Sequence, residues 1–168
     1  MIRSTLYILT TIILLSCDKK NPSTQTTTPL APKSEPAEVL VKEFVATTPF
    51  TLQNASGNTL LELSNDKQVY VYGTPKAQID GEGAIMSLDG SVIAKLNHGN
   101  ILVNHHQMPL IKMKEDGTVD YGSGVVLHWS KDGELMHGDK RLNCKIQPFK
   151  KESLKTAGML YYYFLFRK

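Results

Sequence analysis

The chain has 168 residues, 41% of them hydrophobic, and it carries 19 Lys and Arg against 16 Asp and Glu, a formal net charge of +3. A charge this close to neutral, without a basic stripe interleaved with aromatic residues, argues against a nucleic-acid partner. The length is enough for one domain with its own core.

The N-terminus places an uncharged, mostly apolar run between Arg3 and Cys17. This run, residues 4–15, is shorter than the roughly 20 residues that an α-helix needs to cross a bilayer. A short positive region followed by an apolar run of this length is typical of a secretory signal. We therefore predict that residues 1–16 are a signal peptide and that the rest of the chain is exported.

The residues before the cysteine, Leu14-Leu15-Ser16, resemble the lipobox of bacterial lipoproteins, although that family prefers a smaller residue at the position of Leu15. The resemblance implies cleavage before Cys17, a diacylglycerol on the Cys17 thiol and acylation of the new amine. Two or more acyl chains anchor a protein stably without a transmembrane helix. The expected location is the bacterial cell envelope, facing the periplasm or the cell surface. Asp18 resembles an inner-membrane retention signal of enteric bacteria, and the choice between inner and outer membrane stays open.

Residues 17–42 are predicted to be the lipidated cysteine followed by a disordered Pro/Thr-rich stalk. The segment 18–42 has four prolines, four threonines and no aromatic residue. Such a composition buries too little apolar surface to offset the entropy of ordering. A flexible chain of this length has a root-mean-square reach of roughly 25–30 Å.

Residues 43–168 are predicted to form a single β-rich domain. Short alternations of apolar and polar residues, rich in β-branched and aromatic types and separated by Gly, Asn and Asp, are typical of strands. The predicted fold is mainly β, an antiparallel meander sheet, curled or sandwich-like, with a C-terminal helix packed on it. The predicted strands are 50–53, 59–63, 68–72, 84–87, 91–96, 101–104, 110–114, 118–121, 125–130, 134–137 and 141–147.

Three Asp-Gly pairs, at 89–90, 116–117 and 132–133, predict hairpin turns. A three-residue loop with glycine in the left-handed conformation gives the better register, because it brings apolar residues opposite apolar ones. It pairs Met86 with Val92 and Ile85 with Ile93, and it also predicts the pairs Met113–Val119, Lys112–Asp120 and Trp129–Leu135. A fourth pair, 80–81, is read only as a loop. Because the four pairs are unevenly spaced, they argue against a solenoid repeat.

The last part of the chain, residues 151–166, is predicted to be helical. Its apolar residues share one helical face, which would pack on the sheet: Leu154, Ala157, Tyr161, Phe164 and Leu165. The segment is also similar to the end of a group of uncharacterised bacterial lipoproteins with Asp-Gly-rich sheets and a closing helix. That similarity implies no biochemical activity.

The second cysteine, Cys144, alternates with Leu142 and Ile146 on one strand face, which favours a buried thiol over a reactive one. A metal site would need three or four converging ligands, and the sequence has no HxxxH, HExxH or CxxC spacing. The candidate ligands are His105, His106, His128 and His137, with Cys144 as a further one. His128 and His137 face each other only with a two-residue loop at 132–133. The sequence therefore predicts no cofactor, and a metal-binding or sensing domain stays as the alternative.

No catalytic group is predicted. Ser123 lies between two glycines, but the nucleophile turn that this pattern suggests requires a strand followed by a helix, and here strands flank it. The carboxylates sit where turns favour Asp for backbone reasons, so they predict no acid–base pair: Asp80, Glu82, Asp89, Asp116 and Asp132. The chain is therefore predicted to be a non-enzymatic, lipid-anchored envelope protein that binds a protein or an envelope polymer, through a sheet face or by strand addition, or supports envelope structure.

Overall fold

A computed structural model describes residues 45–122, 124 and 126–167 of the chain. In this part, twelve antiparallel strands form a closed barrel in which each strand pairs with the next and the last pairs with the first. The strands are β1 Phe50–Asn54, β2 Thr59–Leu63, β3 Gln68–Val71, β4 Thr74–Ile79, β5 Ala84–Met86, β6 Val92–Leu96, β7 Ile101–Asn104, β8 Pro109–Met113, β9 Val119–Asp120, β10 Val126–Trp129, β11 Glu134–His137 and β12 Lys140–Gln147.

The mainly β prediction is confirmed, but an open meander or a sandwich is wrong, because the sheet closes on itself. Closure joins β1 to β12, with Thr51 opposite Gln147 and Asn54 opposite Cys144. The hairpins contain regular β-bulges, which bend and twist strands and so curve a sheet towards closure. Bulged residues recur on four alternate strands, at Leu60, Lys76, Ile93 and Leu110.

The barrel is built from a hairpin unit of 16 or 17 residues. At this spacing the odd-numbered strands each place one apolar side chain, at most 1% exposed, in the interior: Leu52, Val69, Ile85, Leu102, Val119 and Leu135. On the even-numbered strands, three consecutive residues whose side chains point inward, outward and inward recur at the same spacing. Examples are Leu61 to Leu63 and Ala94 to Leu96. The period is therefore real, although the Asp-Gly pairs do not show it.

The turns repeat as well. At eight positions the first turn residue donates its N–H to the carbonyl four residues later and accepts a bond from the residue three later: Asn54, Ser64, Asp80, Ser87, Asn97, Asn104, Lys114 and Ser130. The residue three later always has a positive φ: Gly57, Lys67, Gly83, Gly90, Asn100, Gln107, Gly117 and Gly133. The three-residue loop with a left-handed third residue is thus confirmed, also where that residue is not glycine.

The predicted register holds at the pairs Met86–Val92, Met113–Val119, Lys112–Asp120 and Trp129–Leu135. The pair Ile85–Ile93 is wrong, because the bulge at Ile93 puts Ala94 opposite Ile85. Eleven of the strands lie where the alternation predicted them, within two residues at each end. The strand β4 was missed, since Pro75 and Lys76 interrupt its alternation at a bulge, a position that tolerates proline.

The C-terminal helix lies within the barrel and not on its outside. A 3₁₀ turn, Lys151–Ser153, leads into α1, Leu154–Tyr161, and a π-helical turn, Tyr162–Phe166, follows. The predicted helical range is confirmed, but the single apolar face is wrong, because every residue from Leu154 to Leu160 is buried. A lumen enclosed by twelve strands is too wide for strand side chains alone to fill. We call this helix the plug, because its side chains and those of the strands form one hydrophobic cluster.

The strand ends define two ends of the barrel, since successive turns of an up-and-down barrel alternate between them. The end where the described chain begins is called proximal here. There the Val45 N–H donates to the Gly81 carbonyl (3.5 Å), and the Thr156 hydroxyl of the plug donates to the Ala46 carbonyl (2.6 Å). The plug enters the lumen at this end, and its last turn reaches the opposite, distal end.

Candidate functional site: the distal rim

Large apolar side chains are exposed mainly at the distal end. In the described part, four of the five exposed large apolar side chains lie in or beside distal turns: Tyr72 (60%), Leu88 (57%), Met108 (55%) and Val92 (45%). We call these four residues the distal rim. They belong to three consecutive hairpins, which are neighbours in the barrel. Strands lie about 4.8 Å apart, so neighbouring hairpin tips are about 10 Å apart, and the rim follows roughly 20 Å of the barrel edge.

Local hydrogen bonds hold the rim turns in fixed conformations. In the turn that carries Met108, the Asn104 Oδ1 accepts the N–H groups of His106 and Met108, both at 3.0 Å. Tyr72 and Gly73 both have positive φ, as the two-residue hairpin turn between β3 and β4 requires. The apolar side chains are therefore presented from ordered turns.

The turn that carries Leu88 is organised by Asp89. The Asp89 Oδ1 accepts bonds from the hydroxyls of Ser87 and Ser91 and from the Ser91 N–H (2.9 Å). The Ser87 hydroxyl and then the Ser91 groups lower the pKa of Asp89 to about 2. The rim thus carries a fixed negative charge beside Leu88.

At the distal end, an aromatic cluster joins the last part of the plug to strands outside the three rim hairpins. Tyr121 and His137 are hydrogen-bonded through the phenol oxygen and Nε2. The ring of Phe166, from the last turn of the plug, lies 5.2 Å from the ring of Tyr121 and 5.7 Å from that of His137. The Tyr162 ring stacks on Tyr121 at 6.3 Å. The plug is thereby fixed at both ends of the barrel.

The four candidate metal ligands do not converge. His105 and His106 are exposed in the turn before Pro109, with ring centroids 3.8 Å apart. His137 points inward and is engaged with Tyr121, whereas His128 is on the outer face of β10, opposite Met136 and not opposite His137. In the ranges that the structure describes, no three His, Cys, Asp or Glu side chains are placed to share a metal ion.

Cys144 occupies an inward position on β12 and is 2% exposed, so its predicted burial is confirmed. Burial raises the pKa of its thiol to about 12. Burial, with smaller contributions from Cys144 and Tyr72, likewise raises the pKa of Tyr161, on the plug, to about 12. These two groups stay protonated at neutral pH and belong to the core.

The turn carboxylates mostly serve the backbone, as predicted. Asp80 accepts the Ala84 N–H (2.8 Å) and Asp116 the Thr118 N–H (2.9 Å). Glu82 pairs with Lys95 at 3.1 Å on the surface. In the turn of Asp132 the capping group is instead the hydroxyl of Ser130.

Some sequence-based predictions lie outside the described residues. These are the signal peptide 1–16, Cys17, the stalk 17–42 and Ser123. Conversely, the rim was missed by sequence reasoning. Its signal is an apolar residue inside a turn, as in the Ser-Leu-Asp-Gly-Ser sequence around Leu88, where polar residues are the norm.

No family model matches the chain, and neither a curated protein nor a solved structure is significantly similar to it. Among the described residues, no helix combines the length and the apolar character needed to cross a bilayer.

Proposed function

We propose that this protein is a non-enzymatic lipoprotein of the bacterial cell envelope whose barrel binds a protein partner through the distal rim. The observation that carries the proposal is the concentration of exposed Tyr72, Leu88, Val92 and Met108 on three neighbouring hairpins. Exposed apolar side chains that cluster on neighbouring elements and are bordered by polar residues are typical of protein interaction sites, whereas single exposed ones are ordinary.

The closed barrel restricts how a partner can bind. A strand can be added only to a free sheet edge, and closure removes the edges of the twelve paired strands. The plug occupies the lumen, so a ligand held inside the barrel, as in wide barrels, has no room there. Recognition therefore uses side chains on the outside, and in the described part of the chain the rim carries four of the five exposed large apolar ones.

The chemistry of the rim favours a protein over an envelope polymer. Tyr, Met and Leu side chains bury apolar area against the side chains of another protein. The charge of Asp89 beside Leu88 fits a partner with a basic group next to an apolar pocket.

The lipid anchor is tested independently of the rim. The Cys17→Ala variant should lose incorporation of labelled palmitate and should move from the membrane fraction to the soluble fraction of the envelope. A Cys144→Ala variant is the matched control, because that thiol is buried and should not affect fractionation. If the Cys17→Ala variant still takes up palmitate, the anchor is assigned to the wrong residue.

Photocrosslinking in cells tests the rim. p-Benzoylphenylalanine placed at Leu88 or Met108 should trap one discrete partner, whereas the same group at Asn65, an exposed residue in a proximal turn, should not. The variants Leu88→Ser and Met108→Ser should reduce capture by a crosslinker at the neighbouring position. Equal capture from the rim and from Asn65, or adducts with lipid or with a second copy of the chain alone, would contradict the proposal.

A further inference from the structure

A second surface feature lies at the proximal end and uses none of the rim residues. An open pocket of about 690 Å³ lies between the turn that contains Asp116, the turn that contains Lys131 and the segment leading into the plug. Its volume is within the range of small-molecule sites. Because its residues are distinct from those of the rim, binding at this pocket does not depend on the proposed function.

The pocket has an aromatic and apolar floor that is fixed by its neighbours. Trp129 donates its Nε1–H to the Leu154 carbonyl at 3.1 Å, so the indole is tied to the first residue of the plug helix. Phe149 packs so closely over Gly133 that a Cβ there would lie 2.7 Å from its ring. Both aromatic side chains line the pocket, together with Leu154 and Val126. The floor is preformed, which lowers the entropy cost of binding a flat apolar group.

The residues that line the pocket carry more positive than negative formal charge. Lys114, Lys131 and Lys151 line it, with His128 beside them. In the part of the chain that the structure describes, neither Lys131 nor Lys151 has a carboxylate within ion-pair distance. Among the described residues, the pocket thus presents two ammonium groups that form no ion pair with a carboxylate.

The two carboxylates at the pocket are already engaged. Glu115 binds the buried Lys155 at 2.9 Å and accepts a bond from Asn100 at 3.0 Å. Asp116 accepts the Thr118 N–H. Burial alone would raise the pKa of Asp116, but the Thr118 hydrogen bonds and the charge of Lys114 outweigh it and lower that pKa. Glu115 is thus paired with Lys155, and Asp116 faces the charge of Lys114. In the described part of the chain, neither acid forms an ion pair with Lys131 or Lys151.

We infer that this pocket binds a small organic anion that carries an aromatic ring. The ring lies against Trp129 and Phe149, where offset or edge contacts between rings add to apolar burial. The anionic group points outward between Lys131 and Lys151, and the attraction is strengthened because the ligand covers part of their solvent.

The test uses the fact that Trp129 is the only tryptophan of the chain, so its emission reports this pocket alone. The full chain, in a nonionic detergent, is titrated with naphthalene-2-sulfonate and with uncharged naphthalene-2-sulfonamide. Octane-1-sulfonate, which has the charge but no ring, is the third ligand. The sulfonate should change the Trp129 emission saturably, with one site per chain by calorimetry, and both other ligands should bind more weakly. Its affinity should fall as the salt concentration rises.

Charge variants complete the test. The double variant Lys131→Gln/Lys151→Gln should bind the sulfonate about tenfold more weakly, since it loses two exposed charge pairs, and should bind the sulfonamide unchanged. The control variant Lys76→Gln/Lys112→Gln removes two exposed lysines elsewhere on the barrel and should bind like the parent chain. The inference is overturned by absent or unsaturable binding of the sulfonate, by equal binding of the sulfonamide or octane-1-sulfonate, or by equal loss of affinity in both double variants.

Discussion

The plug backbone lies close against the barrel wall at Gly117, which leads to a specific prediction for the Gly117→Ala variant. Gly117 has φ +81°, and a Cβ there would lie 2.6 Å from the Leu154 carbonyl carbon and 2.9 Å from Trp129 Cδ1. The clash involves the plug backbone, which cannot rotate away as a side chain could. The new methyl group must therefore displace the plug or the turn, and it also disturbs the hydrogen bond from Trp129 to Leu154.

The matched control is Gly90→Ala. Gly90 is in the corresponding position of a distal turn, with φ +87°, and a Cβ there would meet nothing within 4 Å. That variant has only the backbone strain of a left-handed alanine, about 1 kcal/mol. Gly117→Ala has the same strain plus overpacking of about 1–3 kcal/mol and the weakening of one hydrogen bond, about 1 kcal/mol. Its free energy of unfolding should therefore fall by about 3–5 kcal/mol, a large part of the roughly 5–15 kcal/mol typical of a domain.

Urea unfolding, followed by far-ultraviolet circular dichroism and by Trp129 emission, measures both variants. The difference between them isolates the contact with the plug from the strain of the turn. If Gly117→Ala and Gly90→Ala lower the free energy of unfolding equally, the plug does not contact this turn as described, and its position in the lumen is wrong.

Two further predictions concern buried polar groups. The side chain of Lys155 is 6% exposed and pairs with Glu115, whose side chain is 78% exposed. The Glu115→Gln variant should lower the free energy of unfolding by about 1–2 kcal/mol, because it leaves the buried charge of Lys155 unpaired. The Lys155→Met variant, which removes the buried charge itself, should change the free energy of unfolding by less than about 1 kcal/mol. A larger loss from Lys155→Met in urea unfolding would refute this. Because burial raises the pKa of Cys144 from 9.0 to about 12, the unfolded chain releases this proton first, so stability should be complete below pH 9 and fall as the pH rises towards 12. The Cys144→Ala variant should reduce the slope of the unfolding free energy against pH by up to about 1.4 kcal/mol per pH unit. Ellman's reagent should label the native Cys144 thiol only at the rate of unfolding. Rapid labelling at pH 8 would show that the thiol is accessible and would contradict this prediction.

The local features of the fold could be predicted from the sequence, because they depend on neighbouring residues. The alternation of Thr59 to Leu63 and the Asp-Gly turns specify strands and three-residue loops through side-chain periodicity and left-handed glycine. Closure could not be predicted in the same way. It depends on the pairing of β1 with β12, which are far apart in the sequence, and an open sheet has the same alternation.

The hairpin repeat was missed for a different reason. In the proximal turns, the left-handed position is glycine at 83, 117 and 133, but it is Lys67 and Asn100 in the other two. A search for Asp-Gly pairs therefore finds only some of the turns, and the turns that it finds are unevenly spaced. The inward–outward–inward triplets before the proximal turns, such as those ending at Ile79, Leu96 and Met113, show the 16- or 17-residue spacing directly.

The candidate sites could not be predicted from the sequence, for related reasons. The position of the plug was misjudged because Lys155 and Thr156 suggest a solvent-facing side, although one pairs with Glu115 and the other donates to Ala46. The rim and the proximal pocket both bring together residues from several hairpins, and only the strand order places those hairpins side by side.

The seam between β1 and β12 has a consequence for how the chain is made. The ribosome delivers β1 early and β12 nearly last, and the helix that fills the interior comes later still. Until the first and last strands pair, the sheet has two unpaired edges and an exposed apolar concave surface. Both favour aggregation with other chains. A substitution that slows the meeting of the first and last strands would therefore reduce the yield from cells through aggregation, even where the finished protein melts at an unchanged temperature.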